Sequence, residues 1–129
     1  MWLDALTEPQ RVALFGLAHD VIVSDGLLDP NEEAMMERLR REMGLPADVQ
    51  SQYIELDGIA GVFDSPRARR IALVNLIHLS YVDGALEIEE ECVLRELADA
   101  FGVAEDEFTL LENWVKRLRA LEEEGKGLL

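Results

Sequence analysis

A chain of 129 residues has room for one domain and buries about two-thirds of its unfolded surface, so its core needs no disulfide or metal staple. Its 27 Asp and Glu against 12 Lys and Arg give a formal charge of -15. That field repels phosphates and anionic headgroups, which makes nucleic acid and anionic membranes poor partners and favours a divalent cation or a protein with a basic surface. Cys92 is the only cysteine, which rules out an internal disulfide and fits a reducing cytoplasm. The opening MWLDALTEPQ carries acid where a secretory leader needs a basic start. The longest apolar run, residues 71–82, is broken by Asn75, His78 and Ser80 and has about half the length of a membrane span. A soluble, cytoplasmic chain is expected, without direct membrane insertion.

The elements in chain order are helices. Trp2, Leu3 and Leu6 form an apolar lead-in that straps onto the body. Thr7 is an N-cap, with Pro9 in the first turn and Gln10 at the capping-box position. The following helix places Val12, Phe15, Ala18 (or His19) and Ile22 on one stripe and should stop near Asp25-Gly26. Asp29-Pro30-Asn31-Glu32 restarts the chain with an Asp cap, proline at the first position and Glu at the capping-box position. Met36, Leu39 and Met43 continue the apolar face to a stop at Gly44. A short helix over residues 47–55 is expected next, then a loop containing Asp57-Gly58 and Gly61. Ser65-Pro66 caps a helix that is apolar on most of its circumference and is therefore the buried one. After Asp83-Gly84 the next helix turns Leu94, Leu97, Ala98 and Phe101 inward and ends at Gly102. The last, from about Glu105, carries Phe108, Leu111, Val115 and Leu118 and frays into Glu122-Glu123-Glu124-Gly125. No segment alternates with a two-residue period, so the class is all-α.

A single offset of 58 residues lays Asp25-Gly26 on Asp83-Gly84, Thr7 on Ser65 and Gly44 on Gly102. It also pairs Leu28 with Leu86, Glu32 with Glu90, Glu33 with Glu91 and Leu39 with Leu97, without a gap. The expected architecture is one compact helical bundle over residues 1–129. It consists of two pseudo-symmetric helix-turn-helix repeats, residues 7–46 and 65–104, plus a long C-terminal helix over 105–124. Two such hairpins related by a pseudo-twofold axis would bury their apolar faces against each other.

Asp83-Gly84-Ala85-Leu86-Glu87-Ile88-Glu89-Glu90, preceded by residues 73–82, resembles the TerB-like domain of tellurite-resistance and related bacterial proteins. Asp25-Gly26-Leu27-Leu28-Asp29-Pro30-Asn31-Glu32 repeats the pattern, and the likeness runs over residues 7–121. One departure is the residue two places before each Asp-Gly, small in the family and here Val23 or Tyr81. The resemblance implies a cytoplasmic all-helical bundle without established catalytic activity, linked to stress and metal-oxyanion tolerance, with divalent-cation binding through the acidic motif. Such domains also occur inside a membrane-anchored DnaJ-type co-chaperone, though a J-domain motif and an anchor are not found in this sequence.

Asp25 and Asp83 each end a helix, where the dipole disfavours an acid by a few tenths of a kcal/mol or more, so something should compensate. In one reading they accept hydrogen bonds from backbone N–H groups of their loops and of the next helix. In the other, Asp25, Asp29 and Glu32 with Asp83, Glu87 and Glu90 supply oxygen ligands to a divalent cation: Ca²⁺, Mg²⁺ or Zn²⁺. Glu87 in place of Asp29 favours the second reading for the second turn, since glutamate is a poor N-cap. An EF-hand is excluded, because a glycine at its sixth position would make Val21 or Leu79 the first ligand. A Cys/His zinc site and a di-iron Glu-x-x-His site lack their ligands.

His19-Asp20 spells the dipeptide of metal-dependent phosphohydrolases, but nothing upstream supplies the further histidines. His19 and His78 are expected to be partly buried helix residues with polar partners, and Cys92 has no evident base. Arg67, Arg69 and Arg70 crowd a helix start and should pair with acids or mark a contact for an anionic partner. Trp2 and Trp114 are taken as packing residues. The expectation is a non-enzymatic domain that binds a cation or a protein, with a homodimer possible. The alternatives are a metal-free acidic scaffold or co-chaperone-like module, and a metal-dependent hydrolase on the same carboxylates.

Overall fold

Three side-chain caps set where helices begin in the computed structural model, which describes residues 1–23, 29–49, 55–82 and 88–129. After a 3-10 turn at Leu3–Ala5, Thr7 Oγ1 accepts from Gln10 N at 3.3 Å, while Gln10 Oε1 accepts from Thr7 N at 3.0 Å. These bonds open α1, Glu8–Ile22. Asp29 opens α2, Pro30–Glu42, with the same reciprocal box, and Ser65 Oγ accepts from Ala68 N at 3.1 Å to open α4, Pro66–Val82. Between them lies the single-turn α3, Ile59–Val62, and α5, Ile88–Ala100, and α6, Glu105–Leu128, complete the order. Among the described residues there is no strand.

Two helices end on matching glycines. Gly44 (φ 66°) and Gly102 (φ 71°) take the left-handed conformation that stops α2 and α5. Gly44 N donates to Arg41 O at 3.0 Å and Leu45 N to Arg40 O at 3.1 Å. The second stop copies the first, with Gly102 N on Asp99 O at 3.0 Å and Val103 N on Ala98 O at 2.9 Å. Both are Schellman motifs, and the residue beyond each glycine, Leu45 or Val103, is buried as that motif favours. At the offset of 58, the bounds of α2 become those of α5, and Thr7 and Gly44 fall on Ser65 and Gly102. This is a correspondence along the chain, not a demonstrated rotation.

α4 packs on α1, α5 and α6, while α1 also packs on α2, α3 and α5. Leu14 and Val21 from α1, Leu73, Leu76 and Ile77 from α4, and Leu94 and Leu97 from α5 are almost wholly buried. Burial of each such side chain stabilises the fold by roughly 1.5–3 kcal/mol. Phe63, just after α3, meets Phe101 edge-on at 5.4 Å, which ties the α3–α4 link to the end of α5.

Several expectations are corrected. The α1 stripe of Val12, Phe15, Ala18 and Ile22 is too narrow. Ala13, Leu14, Leu17 and Val21 are buried as well, and Val12 only partly, because neighbours contact α1 on several sides. α1 is thus as central as α4. Residues 47–49 and Glu55 are not helical, while residues 50–54 of that expected helix lie outside the described residues. The helical turn comes later, where a loop was expected: Gly58 at φ 85° turns the chain so that Ile59 and Phe63 are buried together. α6 does not fray at residues 122–125 but continues to Leu128, braced by Lys126 and Arg119 on Glu123 at 3.0 and 3.3 Å. The expected helix stops at Asp25-Gly26 and Asp83-Gly84 lie outside the described residues, although α1 is already capped by Val23.

Candidate functional site

Of the six candidate carboxylates, Asp25, Asp83 and Glu87 lie outside the described residues. Asp29 and Glu32 are brought together at the start of α2. Asp29 Oδ1 accepts from Glu32 N at 2.8 Å, and Glu32 Oε1 accepts from Asp29 N at 3.3 Å. The box draws Glu32 down until it is buried, while Asp29 stays exposed. Glu90 sits half-buried in the first turn of α5 beside Glu89 and Glu91, and Glu91 Oε1 accepts from Arg95 Nε at 3.1 Å and Nη2 at 3.0 Å. The described acids therefore occupy two separate helix starts, where the dipole favours negative charge. Among the described residues no three His, Cys, Asp or Glu side chains converge on a metal-sized point. A carboxylate offers about four lone-pair positions, so capping and cation coordination are compatible at Asp29.

The two histidines line separate cavities near the C-terminal ends of α1 and α4. His78 Nε2 lies 2.9 Å from Glu122 Oε1, and Arg119 Nη1 donates to Glu122 Oε2 at 3.0 Å. The bond from His78, and secondarily Arg119, hold the Glu122 carboxyl below the usual range against a partial desolvation penalty. This cluster borders a polar cavity of about 450 Å³ reaching Met35, Arg38 and Val82, the residue before Asp83. His19 faces a more apolar cavity of about 370 Å³ with Val23, Leu56 and Val93, its Nδ1 4.0 Å from Asp20 Oδ1. With two histidines in the chain, the His19-Asp20 dipeptide lacks the ligands a phosphohydrolase needs. Cys92 is an exposed free thiol.

The arginines at the start of α4 divide their work. Arg70 pairs with Glu107 of α6, and that contact holds the Glu107 carboxyl below its usual range. Among the described residues Arg69 pairs with no acid, contrary to expectation. Its Nε donates to Phe63 O at 2.7 Å and its Nη2 to Ala60 O at 2.8 Å, because the short α3 leaves carbonyls unpaired at its end. Sequence reasoning also missed several long-range polar contacts. His78 with Glu122 is one. Asn75 accepts from the Met1 amino group and donates to Met1 O, both at 2.9 Å. Gln10 Nε2 reaches Val62 O at 3.1 Å besides closing its own capping box. The capping-box spacing marked Gln10 as a cap partner, but no local signal announces a partner dozens of positions away.

An acidic bundle of capped helices with carboxylates gathered at helix starts is the class that fold and site define. The chain belongs to the TerB family: the family model described as tellurite resistance protein TerB matches residues 47–113, just over half of the sequence. That span runs from just beyond α2 through α3, α4 and α5 into α6. It contains Asp83, Glu87 and Glu90 but not Asp25, Asp29 or Glu32. Comparison with curated proteins and with solved structures returned no match.

Proposed function

We propose that this chain is a non-enzymatic, cytoplasmic TerB-type module of tellurite and related stress resistance. It binds a divalent cation through the acids of its Asp-Gly turns and acts by engaging a protein partner with a basic surface. The family match across Asp83, Glu87 and Glu90 carries this reading. Support for including the first turn comes from the shared offset, which gives Asp29 and Glu32 the sequence positions of Glu87 and Glu90. A charge of -15 favours both a cation and a basic partner, and among the described residues no helix is long and apolar enough to cross a membrane. A metal-free acidic scaffold is the second reading, favoured by the capping box that already engages Asp29 and Glu32.

Calorimetric titration with Ca²⁺, Mg²⁺ and Zn²⁺ separates the two. Asn caps a helix about as well as Asp, so Asp29→Asn should keep the melting temperature while weakening the ion, whereas Asp29→Ala should cost about 1 kcal/mol of stability. Asp83→Asn should weaken the ion most, since the family match covers it. A wild type that binds none of the three ions leaves the scaffold reading. Binding that survives Asp29→Asn and Asp83→Asn alike would place the ion elsewhere.

A further inference from the structure

A cleft of about 650 Å³ lies between the N-terminal strap, the start of α4 and the middle of α6. Its walls are apolar. Trp2 and Trp114 meet at 5.7 Å with their rings tilted by 40°, and Ile71 and Val74 of α4 stand opposite. Trp2 is unusual twice over. It holds φ at 55°, the only non-glycine residue described with a positive φ, and 51% of its surface is still exposed. A bulky side chain in that conformation costs about 1–2 kcal/mol. Leu6, buried at the end of the strap, anchors the segment, but nothing described covers the outer face of the Trp2 indole. Strain retained beside an open apolar wall points to an occupant.

The rim of the cleft carries charge of the opposite sign to the rest of the molecule. Arg67 and Arg70 lie in the first turns of α4, where the helix dipole adds to their positive potential. Glu107 already engages Arg70, whereas Arg67 is exposed and has no partner among the described residues. An apolar wall with a guanidinium at its mouth, on a protein of charge -15, selects an occupant with a greasy body and one anionic head. A polyanion would be repelled by the whole surface, and a plain hydrocarbon would leave Arg67 unused.

We infer that this cleft binds a small amphipathic carboxylate, its apolar body against Trp2, Trp114 and the flank of α4 and its head on Arg67, with Arg70 beside it. The proposal does not depend on the acidic turns and stands or falls separately from cation binding.

Both tryptophans of the chain line the cleft, so intrinsic fluorescence reads its occupancy directly. The protein is titrated with decanoate, decanol and decyltrimethylammonium, each below its micellar concentration. Decanoate should give a saturable change in tryptophan emission, with weaker binding of decanol and weakest of the cation. Arg67→Gln should weaken decanoate by about tenfold, the worth of one charge-assisted hydrogen bond, and leave decanol unchanged. Arg67 is exposed, so that variant should melt as the wild type does; Trp2→Ala should abolish the decanoate response. Equal binding of the three amphiphiles, or no saturable response, overturns the proposal. So does a decanoate affinity indifferent to Arg67→Gln. Emission that shifts with protein concentration instead of ligand would give the cleft to a second copy of the chain.

Discussion

Gly44 and Gly102 show how little of a glycine's role concerns space. A Cβ added at either would meet nothing within 4 Å, yet both backbones sit in the left-handed region. Gly44→Ala and Gly102→Ala should therefore each lose about 1 kcal/mol from conformation alone. Gly61 is equally open but lies inside α3 without a positive φ, and Gly61→Ala should hold or slightly raise stability, since alanine is the better helix former. Urea denaturation of the three variants checks the contrast; equal stability for all would contradict the cap geometry. Glu122 makes a second argument at this scale. Its carboxyl is held below its ordinary value first by His78. A depressed carboxyl contributes stability above the ordinary carboxylate value, about 4, and loses it as pH falls through the lower folded value. The wild type should melt above Glu122→Gln at pH 6, by a modest margin because the side chain is 36% exposed, and the gap should close towards pH 3. A gap that widened on acidification would mean the contact is not ionic.

At the scale of elements, most of the helix starts and stops were legible because their signals are local. Thr7 with Gln10, Asp29 with Glu32, and Ser65 each announce a cap within three residues, and the structure places the expected hydrogen bonds on all of them. Gly44 and Gly102 stop their helices as expected for the same reason. Where the reading failed, the deciding contact was distant in sequence. The position of α3 depends on burying Ile59 and on the meeting of Phe63 with Phe101, which no window of ten residues contains. The breadth of the buried face of α1 follows from how many helices surround it, a property of the assembled bundle. The candidate site divides along the same line. The Asp29–Glu32 pair was readable from its spacing, although spacing alone serves capping and coordination equally well. The Trp2–Trp114 cleft joins the two ends of the chain and has no local signature.

At the scale of the whole molecule, charge governs the response to solution conditions. Among the described residues most of the ion pairs run along one helix, such as Arg40–Glu37, Arg119–Glu123 and Lys126–Glu123, while Arg70–Glu107 joins α4 to α6. Exposed pairs of this kind are worth about 0–1 kcal/mol each and salt weakens them. Against them stands the mutual repulsion of a net charge of -15, which acts across the whole surface and is screened by the same salt. With a Debye length of about 10 Å at 0.1 M, repulsion between separate helices fades before contacts at 3 Å do. Sodium chloride should therefore raise the melting temperature between about 0.01 and 0.3 M, a range over which the Debye length falls from about 30 Å to well below 10 Å. Divalent chlorides compared at matched ionic strength then isolate specific binding. Any rise beyond that with sodium belongs to a site and should shrink in Asp83→Asn, whereas a rise common to all salts is screening. A melting temperature that fell on adding sodium chloride would show that the surface pairs outweigh the repulsion, contrary to the balance of charges in this chain.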